Sequence, residues 1–212
     1  MRDFPMFTTE YGVASLILGE IPYRGEAYVI IQSSENPQAL LEECVSFARV
    51  CGAERIYARG HEALECVPIH CSILEMRGLA RVEPELTAHL WPVTRDNVSQ
   101  WREIVNIRMR EVDNARTLDR KAEKEIMELG GAYFVHDGGK LLGVGWIAQG
   151  ELKVLAATEK GAGKRVLHTM FSLVEDQPLS IQVVSTNHRA IRLYEQAGFC
   201  TLAKVHDWYR VL

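Results

Sequence analysis

The chain has 212 residues, of which 47% are hydrophobic and 25% charged, and a formal net charge of −4. That length fits one large domain or two small ones. The balance excludes collagen-like, low-complexity and disordered chains, and the acidic charge argues against a nucleic-acid coat. No apolar run approaches the ~18 residues that span a bilayer. The opening MRDFPMF lacks the apolar core of a signal peptide. A cytoplasmic protein without membrane contacts is expected.

From Met1 to Ala88 seven arginines face thirteen acidic residues, net −6; from His89 onward the balance is +2, and lysine is absent before Lys121. Pro84 and Pro92 bracket the change, which places a domain boundary at 88/89. The first domain, 1–88, reads as strands Gly12–Ile21 and Glu26–Gln32, rich in β-branched residues. Asn36 before Pro37 is a helix start, followed by Leu40, Leu41, Cys44, Phe47, Ala48 and Cys51 at helical spacing, with Gly52 ending the run. Arg55–Arg59 and Val67–Met76 read as strands.

There are five cysteines: Cys44, Cys51, Cys66, Cys71 and Cys200. An odd count, mostly in apolar surroundings, predicts reduced, buried thiols. His61, Cys66, His70 and Cys71 match no paired zinc-ligand spacing, so no metal is expected and Cys71 is read as packed inside a strand.

The second domain, 89–212, opens with a short strand, Leu90–Val93. Asp96 or Thr94 caps a helix through Asn97–Val112, and Thr117–Leu129 is a second helix stopped by Gly130–Gly131. Ala132–His136 and Leu141–Ala148 form a hairpin about Asp137–Gly138–Gly139. Leu152–Ala157 is a strand, and Val166, Leu167, Met170, Leu173 and Val174 mark a helix. Leu179–Ser185 is a strand; Ala190, Leu193, Tyr194 and Ala197 give a helix with Gly198 as its stop. Phe199–Val211 supplies the last strands. Strand–helix–strand connections of this length imply parallel pairs.

Between the strand Leu152–Ala157 and the following helix lies Glu159–Lys160–Gly161–Ala162–Gly163–Lys164–Arg165. Its glycines let backbone N–H groups converge on an anion, a helix start adds unpaired donors, and three basic side chains add charge. A diphosphate fits such a turn. The spacing is neither that of a Walker A loop nor GxGxxG. A solvated Gly–Lys loop is the plain alternative.

A second segment follows the strand Leu179–Ser185. Asn187, Ala190, Leu193, Tyr194, Gly198 and Phe199 match N-x-x-A-x-x-L-Y-x-x-x-G-F. With the glycine turn, this resembles the GNAT family of acyl-CoA-dependent N-acetyltransferases. The family's turn signature, [RQ]-x-x-G-x-[GA], is met in part: Lys160 stands for Arg or Gln, Gly163 matches, and Arg165 stands where Gly or Ala is usual. The resemblance covers roughly 120 residues, a domain's worth. It implies an α/β (α+β) fold with a mixed central sheet and flanking helices.

The resemblance also implies roles. Backbone groups of Leu155, Ala156 and Ala157 would bond the pantetheine of acetyl-CoA, and one N–H there would polarise the thioester carbonyl. Lys160, Gly161, Ala162, Gly163, Lys164 and Arg165 would hold the diphosphate; Arg165 either crowds the turn or pairs with a phosphate oxygen. Tyr194 resembles the family's general acid and Asn187 bonds the CoA chain or caps its helix. Glu151 is the candidate base, with His136, His206 and Asp207 as alternatives. The partners implied are acetyl-CoA and an amine acceptor lined by Asn97–Leu129, where Arg108, Arg110, Glu111, Asp113 and Arg116 are mixed in sign. Leu40–Arg59 looks like the third helix and fifth strand of such a unit, entered through Ser33–Ser34–Glu35–Asn36 in place of a glycine turn. The first domain is therefore read as a partial, degenerate GNAT-like α+β domain without a CoA motif, serving to extend the sheet, cover the acceptor cleft or make a homodimer contact. A CoA-binding sensor or interaction module without turnover is the rival to an enzyme.

Overall fold

A computed structural model describes residues 5–212; part of the opening segment read for a leader lies outside them. The chain divides into two compact units. The first runs to Ser72 and takes back Val205–Leu212; the second is Ile73–Lys204. The composition shift at 88/89 thus falls inside the second unit. No helix among the described residues is long and apolar enough to cross a membrane.

In the first unit β1 (Met6–Thr9) and β2 (Gly12–Ile17) form an antiparallel pair, and β3 (Glu26–Ser34) continues it. A short helix, α1 (Ile21–Arg24), separates β2 from β3 and ends at Gly25, whose φ is +67°. Helix α2 (Pro37–Val50) starts at Asn36, whose Oδ1 accepts from the Ala39 N–H at 3.2 Å. It crosses over to β4 (Arg55–Arg59), which runs parallel to β3 through five register steps, Glu26–Ile30 against Arg55–Arg59. Leu40, Cys44 and Ala48 of α2 pack on Ala14, Leu16, Ala27, Val29, Ile31, Ile56 and Ala58.

Strand β5 (Ile69–Leu79) leads into the second unit, and β11 (Cys200–Arg210) leads back to the first, where Tyr209 pairs with Ala58 and Arg210 with Tyr57. The expected group of last strands is this single strand. Its return to the first unit is a long-range pairing that local pattern does not encode.

The second unit contains β6 (His89–Pro92), α3 (Val98–Met109), α4 (Arg120–Leu129), β7 (Ala132–Asp137), β8 (Lys140–Ala148) and β9 (Glu151–Ala157). After these come α5 (Gly163–Phe171), β10 (Pro178–Val184) and α6 (His188–Gln196). Its sheet runs β5-β10-β9-β8-β7-β6, antiparallel except for β10 beside β9. Helix α5 covers one face: Val166, Leu167, Met170 and Phe171 pack with Met76, Val135, Leu142, Leu152, Leu179 and Ile181. On the other face α3 and α4 set Val98, Trp101, Val105 and Ile126 against Phe134, Val144, Trp146, Val154 and Ala156.

Glycines on β8 fix how closely α5 approaches: a Cβ at Gly145 would sit 2.6 Å from Met170 Cγ, and one at Gly143 2.8 Å from Val166 Cγ2 and 2.5 Å from the Ala156 oxygen of β9. Helix α4 begins three residues later than its apolar pattern suggests, because Asp119 caps it by accepting from the Lys121 and Ala122 N–H groups at 2.9 Å. Helix α3 starts at Asn97, with neither Thr94 nor Asp96 as its side-chain cap. All five cysteines are free; Cys44 and Cys71 are buried as expected, whereas Cys51, Cys66 and Cys200 are exposed.

Candidate active site

Strands β9 and β10 are parallel neighbours that meet at one register step, Glu151 against Ser180. The Ser180 N–H also donates to the Gly150 oxygen at 3.0 Å. Beyond that step the strands part, so β9 from Leu152 to Ala157 has β8 on one side and, among the described residues, no strand on the other. The cause lies in β9 itself. Its register with β8 jumps from Val154↔Trp146 to Leu152↔Ile147, leaving Lys153 unopposed. One extra residue of this kind bends a strand and increases its twist.

The alternation of a strand then decides which amides face the gap. The Thr158 N–H points to β8, where it donates to the Leu142 oxygen at 2.9 Å. Successive residues alternate, so Ala156 also faces β8, while the N–H and C=O of Leu155 and Ala157 face the open edge. Of the three strand residues expected to bond pantetheine, two are therefore free to do so; Ala156 is spent on its pairing with Val144.

The glycine turn follows directly. Gly161 has φ +86°, a conformation that suits glycine. The Ala162 N–H closes the turn on the Glu159 oxygen at 3.2 Å, and the Val166 N–H makes the first intrahelical bond, to Ala162. Helix α5 has no side-chain cap. The N–H groups of Gly161, Gly163, Lys164 and Arg165 thus have no backbone acceptor among the described residues, and they lie together at the positive end of a helix.

The basic side chains around the turn are not equivalent. Lys164 Nζ pairs with Glu83 Oε2 at 2.8 Å, and Arg165 Nη2 with Asp137 Oδ2 at 2.9 Å. Each contact holds its carboxyl below the usual carboxylate range. Among the described residues Lys160 alone of the three has no carboxylate partner. Arg165 is tied to the β7–β8 hairpin, an outcome distinct from the crowding or phosphate pairing that the sequence leaves open. Glu83 also receives His168: the Glu83 N–H donates to His168 Nδ1 at 3.1 Å. Neither Glu83 nor Asp137 carries a local sequence signal, since their partners lie 81 and 28 positions away.

Tyr194 is buried, at 7% exposure, in the cluster that Leu155 and Ala157 line. Its ring lies 6.5 Å from that of Phe199, which stacks on Phe171 at 5.7 Å. Burial alone pushes the phenol above its ordinary value of 10. Asn187 caps α6, its Oδ1 accepting from the Ala190 N–H at 3.1 Å. Leu193 of α6 reaches the start of α5, with its Cδ2 3.5 Å from a Cβ built on Gly163.

Glu151 sits where β9 and β10 still touch, at the opposite end of β9 from the glycine turn, and its Oε2 pairs with Lys153 Nζ at 3.0 Å. The other candidate bases lie elsewhere: His136 faces His89 across β6 and β7, with ring centroids 5.6 Å apart, and His206 and Asp207 belong to the first unit.

The last turn of α3 and the connection to α4 span the mouth of the gap. Arg108 donates to the Thr158 oxygen just past β9, and Asp113 Oδ2 accepts from Thr186 Oγ1 at 2.7 Å just past β10. Both residues stand in the region expected to line an acceptor.

No protein-family model matches the sequence, and no curated protein matches it. Solved structures do match. A GCN5-related N-acetyltransferase from Anabaena variabilis superimposes with a TM-score of 0.61 at 10% identity, over 94% of this chain and 59% of its own. One from Kribbella flavida gives 0.59 at 12% identity, over 94% and 56%. A functionally unknown conserved protein from Staphylococcus epidermidis gives 0.56 at 13% identity, over 98% and 93%. The chain has the fold of the GCN5-related N-acetyltransferases, a mixed sheet with helices on its faces. At these identities the likeness speaks to fold.

Proposed function

We propose that the chain transfers an acetyl group from acetyl-CoA to a primary amine of a small molecule or peptide, by direct attack in a ternary complex. One observation carries this reading: the open edge of β9 presents the Leu155 and Ala157 amides and runs straight into a turn of unpaired N–H groups. A pantetheine arm carries amides and ends in a diphosphate, which suits that order of donors. Lys160 supplies the uncompensated charge.

In this reading the thioester carbonyl accepts from an open N–H of β9, where charge develops on oxygen in the transition state. The amine nitrogen bonds the acyl carbon, the carbon–sulfur bond breaks, Tyr194 gives its proton to the departing sulfur, and the proton the nitrogen then sheds restores the phenol. The acceptor's ammonium must first lose a proton, and Glu151 takes it after exchanging Lys153 for the incoming cation. The phenol's raised value matters here. The thiolate of a thiol of pKa about 8.5 is a weaker base than a buried tyrosinate, so donation by Tyr194 depends on the thiolate being buried too.

That requirement, with the only acid on β9 already ion-paired, favours a second reading in which acyl-CoA is bound without turnover. An assay of thiol release from acetyl-CoA with a panel of small amines and peptides separates the two. Release with any amine supports transfer; tight binding with no release across the panel supports a CoA-binding module.

The first unit, in the same proposal, is a GNAT-like unit without the binding features. Its parallel strands β3 and β4 stay paired over five steps. The entry to α2 is filled by its own side chains, with the Asn36 N–H donating to Ser34 Oγ at 3.1 Å.

A further inference from the structure

A cavity of about 720 Å³ lies in the first unit, between α2 and the turn that joins β1 to β2. Ala39, Glu42, Glu43 and Ser46 line it from α2; at i, i+3, i+4 and i+7 they share one stripe of the helix. Leu40, Cys44 and Ala48 form the neighbouring stripe, which packs on the sheet. The polar stripe therefore lies over β1, the outermost strand, where the sheet ends. Phe7, Thr9 and Tyr11 line the other wall. The volume falls within the roughly 300–1,000 Å³ of small-molecule sites. The walls are preformed. The Phe7 ring lies 5.2 Å from that of Phe47 on α2, the Tyr11 N–H donates to Thr9 Oγ1 at 3.1 Å, and the Tyr11 carbonyl accepts from Ser34 Oγ at 2.6 Å. Phe7 and Tyr11 are half-buried, which leaves part of each ring to the cavity.

The charge of this cavity is uncompensated. No basic residue lines it, and neither Glu42 nor Glu43 has an ion-pair partner among the described residues. Arg24 and Arg55 of the same unit are both taken by Glu26, at 2.9 and 3.2 Å. Glu43 Oε2 is enclosed, yet nothing among the described residues donates to it. A carboxylate oxygen shut away from water without a donor is uncommon and costly. The exposed part of this half-buried side chain lines the cavity. Tyr11 feels the field: the charge of Glu10, a hydrogen bond to it, burial and the charge of Glu43 raise its phenol above the ordinary value of 10. Aromatic walls beside an unmatched carboxylate are the complement of an organic cation. A bare metal ion suits them poorly, since no group of three or more ligand side chains occurs among the described residues.

We propose that this cavity binds a small primary amine, in its ammonium form, borne on a flat apolar group. The ammonium meets the Glu43 carboxylate with Glu42 beside it, and the flat group lies against Phe7 and Tyr11. An ammonium is all donor, which suits a carboxylate oxygen that lacks one, and aromatic faces favour a nearby cation. A partly enclosed carboxylate makes a stronger charge-assisted bond than one in open water. The site lies within the first unit and uses no residue of the acyl-transfer reading, so either stands if the other fails.

The test is calorimetric titration of the full chain, near neutral pH, with phenethylamine, phenethyl alcohol, 3-phenylpropionate and calcium chloride. Phenethylamine should bind at submillimolar concentration, with the alcohol, the carboxylate and calcium each at least about tenfold weaker. Two variants locate the binding. Glu43→Gln keeps the shape and removes the charge, so affinity should fall at least about tenfold while the melting temperature holds or rises. Ser46→Trp fills the cavity from an exposed helix position and should abolish binding. Should Glu43→Gln fail to fold, Ser46→Trp decides alone. No binding of phenethylamine at millimolar concentration overturns the proposal. So does binding that the folded variants leave intact, which places the amine elsewhere on the chain, or binding of the alcohol, the carboxylate or calcium as tight as that of the amine.

Discussion

Arg165 Nη2 donates to Asp137 Oδ2 at 2.9 Å, so the side chain that stands where the family's glycine turn has Gly or Ala is tied to the β7–β8 hairpin. The donors left to the turn are its backbone N–H groups and Lys160. Arg165→Ala should therefore change acetyl-CoA affinity by no more than about threefold and cost under about 1 kcal/mol of stability, as exposed ion pairs do. Gly161→Val should act in the opposite sense. There is open space around Gly161, but its φ of +86° is strained for valine by about 1–2 kcal/mol. Relief of that strain turns the N–H groups away, and affinity should fall by about tenfold. Calorimetry on the two variants gives both numbers.

Tyr194→Phe should lower kcat about a hundredfold, within the usual range for a general acid, and leave the KM for acetyl-CoA nearly unchanged. Its melting temperature should hold, because burial alone perturbs this phenol and no side chain among the described residues pairs with it. Steady-state kinetics and a thermal melt on one preparation check both halves.

Most elements are legible in the sequence, and for identifiable reasons. Asn36–Pro37 announces α2, Gly198 at φ +87° ends α6, and Asp137–Gly138–Gly139 turns between β7 and β8 with both glycines at positive φ. Arg55–Arg59 is a strand with the bounds its pattern suggests. The short edge strand β1 escapes notice because MFTT has too few residues to show a period. Leu173 and Val174 share the helical spacing of α5, yet the helix ends at Phe171 and the two side chains pack against the core from the turn beyond it. The glycine turn is visible because its donors are local. The bulge at Lys153, the parting of β9 from β10, and the carboxylates of Glu83 and Asp137 all depend on residues far apart in sequence, and no local pattern reports them.

His168 is buried against Phe171, and burial is the main cause that holds its imidazole below the ordinary value of 6.5. As pH falls through about 6.5 the unfolded chain takes up a proton that the folded chain refuses. Stability above that pH is unaffected by this group and declines below it. His168→Asn, which keeps an acceptor for the Glu83 N–H, should flatten the decline. Melting temperatures of both proteins between pH 7.5 and about pH 5 measure the difference.

Gly143 and Gly145 are read as close-packing positions under α5. Gly145→Ala presses on the flexible Met170 side chain and should cost about 1 kcal/mol; Gly143→Ala meets the Ala156 backbone oxygen and should cost about 2–3 kcal/mol. Urea denaturation midpoints that rank the two in the reverse order would contradict the packing described for β8.

The account rests on the open edge of β9, and the most direct measurement of it is calorimetric titration of acetyl-CoA into three proteins: the parent chain, Leu155→Pro and Ala156→Pro. A proline at Leu155 removes an N–H that faces the gap and breaks no ladder bond, so that variant should fold. A proline at Ala156 removes the bond to Val144 and should unfold the unit. The account predicts micromolar binding to the parent chain and none to a folded Leu155→Pro. Undiminished binding to Leu155→Pro, or no binding to the parent chain at millimolar ligand, would contradict it.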